Sequence, residues 1–283
     1  MKVGVAIPAY ELVSGRARSF EAMVGDAVSA EGLGYDSVWV MDHFFVDRGG
    51  KRFVGGPEPL AFLSHVAART HRIELGTLVL CAPFRAAAQL AREARTLGTA
   101  SGGRLILGLG AGWHQPEFDA FGFRFDHLVT RFEAYIEELI PLLGRDEVYG
   151  EPAPLPWIAG GGPRMLRLTG RLAGGWNGAW YGPDPALFQE RLGDVEAALR
   201  SAGRKRSDLA ASAGLLVLPG EEDRPSAITG SPEQIVEAIG RYREAGCDHA
   251  ILNFSPAPFA EGDPDLAGLL APLLGRLRGG DGS

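Results

Sequence analysis

The stretch SGGRLILGLGAGWHQPEF, Ser101–Phe118, decides the fold. Gly102-Gly103 read as a turn. Leu105, Ile106, Leu107 and Leu109 form a short continuous apolar run, the pattern of a strand buried on both faces. Such a strand belongs to a parallel sheet with helices on its faces. Gly108, Gly110 and Gly112 then leave the backbone bare at the strand's carboxyl end, where something flat can approach closely. The loop that follows carries Trp113, His114 and Glu117. Parallel α/β proteins keep their ligands at that end of the strands.

Outward from this stretch, strands and helices alternate. Strands are expected at Val3–Pro8, Ser37–Met41, Ile73–Cys81, Leu155–Ala159, Gly175–Tyr181, Leu215–Leu218 and Ala250–Asn253. Between them lie apolar stripes at helical spacing, such as Phe20, Met23, Val24, Ala27 and Val28. A Gly-rich loop is expected over 48–56, with Pro57 opening the next helix. Ser231-Pro232-Glu233-Gln234 reads as a helix start: Ser as N-cap, Pro at the first position, Gln as the capping-box partner. Pro272 should kink or split the last helix. Eight strand–helix units in 283 residues are most simply a closed (β/α)8 TIM barrel, an α/β fold, with a doubly wound open sheet as the alternative. One domain over residues 1–278 and a frayed tail over 279–283 complete the expectation.

A net charge of −7 without a basic stripe argues against nucleic acid as a partner. No apolar run reaches the about 18 residues of a membrane span. The amino terminus enters a strand-like run without a secretory leader, so a cytoplasmic location is expected. Cys81 and Cys247 read as buried thiols.

In a barrel the strand ends carry the site. Strand one delivers Tyr10; strand two, Asp42 and His43; strand three, Thr77 to Cys81; strand four, Ala111, Gly112 and Trp113. Strand five delivers Gly160, Gly161 and Gly162, and strand six Trp176, Asn177 and Trp180. This mouth is rich in aromatic side chains and bare glycine but poor in carboxylate and lysine, a lining that suits a flat aromatic cofactor. Asp42-His43 either serves the site or simply closes a strand. The triple glycine is either a flexible turn or a row of amides leading into a helix N-terminus, which favours a phosphate that Arg164 could assist. Trp176 and Trp180 read as partly core. No spacing fits a metal site or a G-x-S-x-G elbow.

VGVAIP (3–8), GYDSVWVMDHF (34–44), RIELGTLVL (72–80), SGGRLILGLGAGWHQPEF (101–118), PWIAGGGPRMLRL (156–168), GWN (175–177) and GSPEQIVEAIGRYREAGCDHAIL (230–252) together resemble the bacterial luciferase-like monooxygenase superfamily, and its deazaflavin (coenzyme F420) branch in particular. The resemblance implies a TIM barrel, usually a homodimer, with the cofactor ring in the mouth. It implies a non-prolyl cis peptide between Leu78 and Val79 behind the ring, His43 as the active-site histidine and Gly160, Gly161 and Gly162 around the phosphate. Ala111 and Gly112 would meet the ring, with Asp42, Thr77 and Asn177 beside it. Trp113 would stack on or wall off the substrate. Some sugar-phosphate dehydrogenases of this branch have a glutamate where Trp113 stands and a tryptophan where Asp47 stands, which speaks against a glucose-phosphate substrate. The activity implied is hydride transfer between F420 and a small organic substrate. The alternatives are an FMN-dependent monooxygenase, a flavin-binding barrel without turnover and, more weakly, a phosphosugar isomerase.

Overall fold

Eight parallel strands close into a ring. The computed structural model describes residues 1–9, 18–48, 50–144, 153, 155–220, 225–254 and 265–279. The barrel strands are Lys2–Ala6, Ser37–Val40, Glu74–Thr77 continued by Leu80–Cys81, Leu105–Ile106 continued by Gly108–Gly110, Trp157–Ala159, Gly175–Tyr181, Ala210–Pro219 and His249–Asn253. Each pairs in parallel with the next, and the last pairs with the first through Lys2↔His249 to Val5↔Leu252. Strand and crossover helix repeat because each strand is buried on both faces: Ser37–Val40 has no exposed position.

Several boundaries differ from the sequence reading. Strands three and four are each interrupted where the chain turns toward the site. Strand seven begins five residues earlier than expected, and Ile228–Gly230 pairs with its far end. The helix placed at Pro57 begins at Pro59, with the Glu58 carboxylate accepting from the Ala61 amide (2.7 Å) as its cap. Much of the stretch expected as a Gly-rich loop, 48–56, belongs instead to an antiparallel hairpin, Phe45–Arg48 with Lys51–Val54. Its register is pinned by the cross-strand pair Asp47–Arg52 (2.9 and 3.0 Å) and by the Arg52 guanidinium over the Phe45 ring (3.6 Å). The capping box at Ser231 and the break at Pro272 are as expected: helix Asp265–Leu270 gives way to a 3-10 turn and then to Leu274–Arg278. The expected tail beyond Gly279 lies outside the described residues.

Inside the ring, Trp39, Leu78, Ile106 and Ile251 pack together. At the amino-terminal end of the strands the Trp39 indole donates to Ser37 Oγ (2.7 Å), which lies 2.7 Å from His249 Nε2. Burial lowers the His249 pKa to about 3, so the folded chain keeps this ring neutral. The unfolded chain protonates the same ring below its ordinary value near 6.5. Stability should therefore fall as pH drops from about 6.5 toward about 3, by up to about 1.4 kcal/mol per pH unit from this group. Urea denaturation across that range should give a shallower slope for His249→Gln than for the parent. Equal slopes would mean that another group controls acid stability.

Both cysteines are free and buried. Burial pushes the Cys247 thiol up to about 12, and burial with the Asp42 and Glu117 carboxylates pushes Cys81 up as well, so neither is a ready nucleophile. Among the described residues no helix is long and apolar enough to cross a membrane, and no group of three or more His, Cys, Asp or Glu could hold a metal ion.

Candidate active site

A cavity of about 790 Å³ opens at the carboxyl ends of the strands. His43, Trp113, Asp42, Leu78, Val79, Ala111, Gly112, Gly160 and Asn177 all line it, so strand ends two to six converge there. Thr77, Gly161 and Gly162 are not among the lining residues. Tyr10 lies outside the described residues.

Thr77 is wholly buried, and its hydroxyl exchanges two hydrogen bonds with the backbone of Gly108 (2.8 Å each). It stitches strand three to strand four across the interruption in both. The bare backbone at Gly108 and Gly112 has a packing cause. A Cβ on Gly108 would lie 2.0 Å from the Thr77 carbonyl oxygen, and one on Gly112 would lie 2.5 Å from the Phe118 ring. Gly112 also has φ +83°, which favours glycine and sets the turn that carries Trp113 outward. Cis peptides join Leu78 to Val79, as expected, and Ala179 to Trp180, which the sequence did not signal. All four residues line the cavity.

The central pair is His43 with Glu117. His43 Nδ1 lies 2.8 Å from Glu117 Oε2, and Glu117 Oε1 accepts the amides of Phe44 (2.7 Å) and Phe45 (3.4 Å). Glu117 is 1% exposed. It stands on a short helix, Gln115–Phe121, where the sequence reading had a loop. The carboxylate thus grips the strand-two exit and the imidazole together. An acceptor at Nδ1 selects the tautomer protonated there and turns Nε2 the other way. Trp113 packs edge-on against the His43 ring at 5.5 Å and 71°. Replacing Glu117 with Gln offers a donor toward Nδ1 in place of an acceptor. This should reverse the tautomer and slow a His43-dependent step by about 10². Nitrogen-15 chemical shifts of the ring read the tautomer directly; an unchanged tautomer would deny Glu117 this positioning role.

Asp42 is committed elsewhere. Oδ2 accepts the Cys81 amide (2.9 Å) and pairs with Arg85, which also reaches Glu58 (2.8 Å). It fastens strand two to strand three at the edge of the cavity it lines. His114 is buried, and its Nε2 accepts the Asp47 amide (3.2 Å), tying the hairpin to the strand-four exit. The Arg52 hydrogen bonds hold the Asp47 carboxyl below the usual range.

Asn177 is 1% exposed. Its Oδ1 is 2.5 Å from Ser212 Oγ, and its Nδ2 is buried without a hydrogen-bond partner among the described residues. A buried unpaired amide donor is costly, and Asn177 stands on the wall of this cavity. Trp176 is fully core: it is 0% exposed and its indole donates to the Gly160 carbonyl (2.9 Å). Gly162 is the N-cap of helix Pro163–Leu172. Arg164 is engaged with Glu133 and Thr130 Oγ1 (2.9 Å) on the preceding helix. Arg191 is a cation beside the glycines: a Cβ on Gly161 would lie 2.6 Å from its Cζ. The sequence reading passed over it because it sits on a helix that begins 25 residues after Gly161, at Ala186.

A profile of the luciferase-like monooxygenase family matches residues 1–225. The chain belongs to this family. Similar proteins include an F420-dependent glucose-6-phosphate dehydrogenase of Amycolatopsis mediterranei, 35% identical over 54% of this chain and 52% of that protein. A 5,10-methylenetetrahydromethanopterin reductase of Methanolobus tindarius is 29% identical over 75% and 68%. The match thus spans about half the length of the first of these relatives. Among solved structures, an F420-dependent secondary alcohol dehydrogenase with an F420-acetone adduct superposes with a TM-score of 0.79 at 16% identity, covering 98% of this chain and 99% of that one. The oxygenating constituent of 3,6-diketocamphane monooxygenase from Pseudomonas putida, in complex with FMN, superposes with a TM-score of 0.73 at 17% identity over 96% and 98%. At these identities the superpositions speak to the fold, the luciferase-like barrel.

Proposed function

We propose that this chain is an oxidoreductase that transfers a hydride between coenzyme F420 and a small organic substrate in the cavity described above. Asn177 carries the reading: a buried amide donor without a partner among the described residues, on a residue lining a largely apolar cavity large enough for a fused ring, matches a ring-edge carbonyl. The relatives named for F420 support the choice of deazaflavin over FMN.

When bound, the deazaflavin supplies or accepts the hydride at its C5. Leu78, Val79 and Ala111 offer an apolar platform for the ring. Gly160, Gly161 and Gly162, at the start of helix Pro163–Leu172, would hold the phosphate with Arg191 beside them. His43 hands a proton from Nε2 to the substrate oxygen as its carbon gains the hydride, and takes it back in the reverse direction. Glu117 keeps that nitrogen aimed. Met41, Val46 and Phe84 keep water from the reacting atoms.

Parallel titrations with F420 and FMN test the reading. F420 should bind at least about tenfold more tightly, a difference of about 1.4 kcal/mol. Tighter FMN would shift the assignment to a flavin monooxygenase, and failure of both would end it. The same reading carries a single domain over 1–278, a cytoplasmic location and a homodimer, which sedimentation at twice the 30.1 kDa chain mass checks.

A further inference from the structure

The tryptophans divide by place. Trp39 and Trp176 are 0% exposed in the barrel, and Trp157 is half-buried beside them. Trp113 and Trp180 are 65% and 44% exposed, and these two line the cavity. Trp113 leaves strand four and Trp180 belongs to strand six, so one indole stands on each side of strand five at the rim. An indole left in water gains most when a flat apolar partner covers it. Trp113 also touches His43, so a molecule presented to that imidazole meets the indole.

Among the described residues, the charged side chains that line the cavity are acidic. Its lining includes the carboxylates of Asp42, Asp47 and Glu117 and, among the described residues, no lysine or arginine. Arg85 and Arg52 are bonded to Asp42 and Asp47, and neither lines the cavity. Away from the 160–162 glycines, where Arg191 stands, a phosphate or carboxylate entering here would shed water beside carboxylates with no lysine or arginine among the described lining residues to receive it. An uncharged molecule meets no such cost.

We propose that the substrate is an uncharged, ring-bearing carbonyl compound, or the matching alcohol, whose ring is covered by Trp113 and Trp180, and that sugar phosphates are not substrates. The ring and the absence of charge follow from the walls; only the carbonyl rests on the hydride-transfer reading above.

Acetophenone and glucose 6-phosphate serve as probes, titrated calorimetrically into the cofactor-free and the F420-loaded chain. Acetophenone should bind saturably and glucose 6-phosphate should not. Trp113→Ser and Trp180→Ser should each weaken acetophenone about 5- to 10-fold, the worth of one aromatic contact, and the double variant more. Their melting temperatures should stay near the parent's, because both side chains are exposed. Acetophenone that still binds and depends on both indoles in a chain that takes no F420 would support this inference while sinking the hydride-transfer reading. Three results overturn the inference: glucose 6-phosphate binding as well as acetophenone, acetophenone failing to bind in either form, or the tryptophan substitutions weakening F420 and sparing acetophenone.

Discussion

His43→Ala is expected to lower the rate of acetophenone reduction by reduced F420 by about 10²–10⁴. The F420 dissociation constant should change by less than about threefold, because no large apolar contact is lost. The argument is geometric. His43 is the one imidazole among the described residues lining the cavity, and a buried carboxylate 2.8 Å away holds it in one orientation. A carbonyl that gains a hydride must also gain a proton at oxygen. Asp42 is held by Arg85, and Glu117 already accepts from two backbone amides and faces His43. Stopped-flow recovery of the oxidised deazaflavin band measures the rate. A variant within about threefold of the parent would show that the proton comes from elsewhere, bulk water included.

Arg104→Met should destabilise the fold by about 3 kcal/mol or more. Arg104 follows the Gly102-Gly103 turn at the amino-terminal end of the barrel. Its guanidinium donates to the carbonyls of Ser101 (2.7 Å), Ile73 (3.0 Å), Ala67 (3.0 Å) and Thr70 (3.1 Å) and to Thr70 Oγ1 (2.9 Å). It gathers the end of helix Pro59–Ala67, the start of strand three and the turn into strand four. Methionine keeps much of the length but satisfies none of these acceptors. Chemical denaturation reads the loss directly. A change under about 1 kcal/mol would mean that water replaces the guanidinium without penalty.

What the sequence revealed and what it hid follow from the range of the interactions. Barrel strands announce themselves because burial on both faces leaves continuous apolar runs, as in Leu105–Leu109. Caps are local too, which is why Ser231 with Gln234 reads correctly. The hairpin was legible in principle, with Gly49-Gly50 between two β-prone runs, but its charged outer face masks the alternation. The helix carrying Glu117 has seven residues and no side-chain cap at His114, too short for a periodic signal. The His43–Glu117 pair spans 74 positions, and nothing near either residue marks the other. Thr77 sits at the right strand end but turns its hydroxyl to Gly108. The glycines at the carboxyl end of strand four read as room for a ligand, and at Gly108 and Gly112 that room is taken by neighbouring protein atoms.

A crystal structure of the chain with F420 is the most direct measurement. The account predicts the tricyclic ring against Leu78–Val79, one carbonyl at Asn177 Nδ2, the phosphate at the 160–162 glycines and one ring face open toward His43. A ring lodged outside this cavity, or inside it with His43 and Asn177 both out of reach, would contradict it.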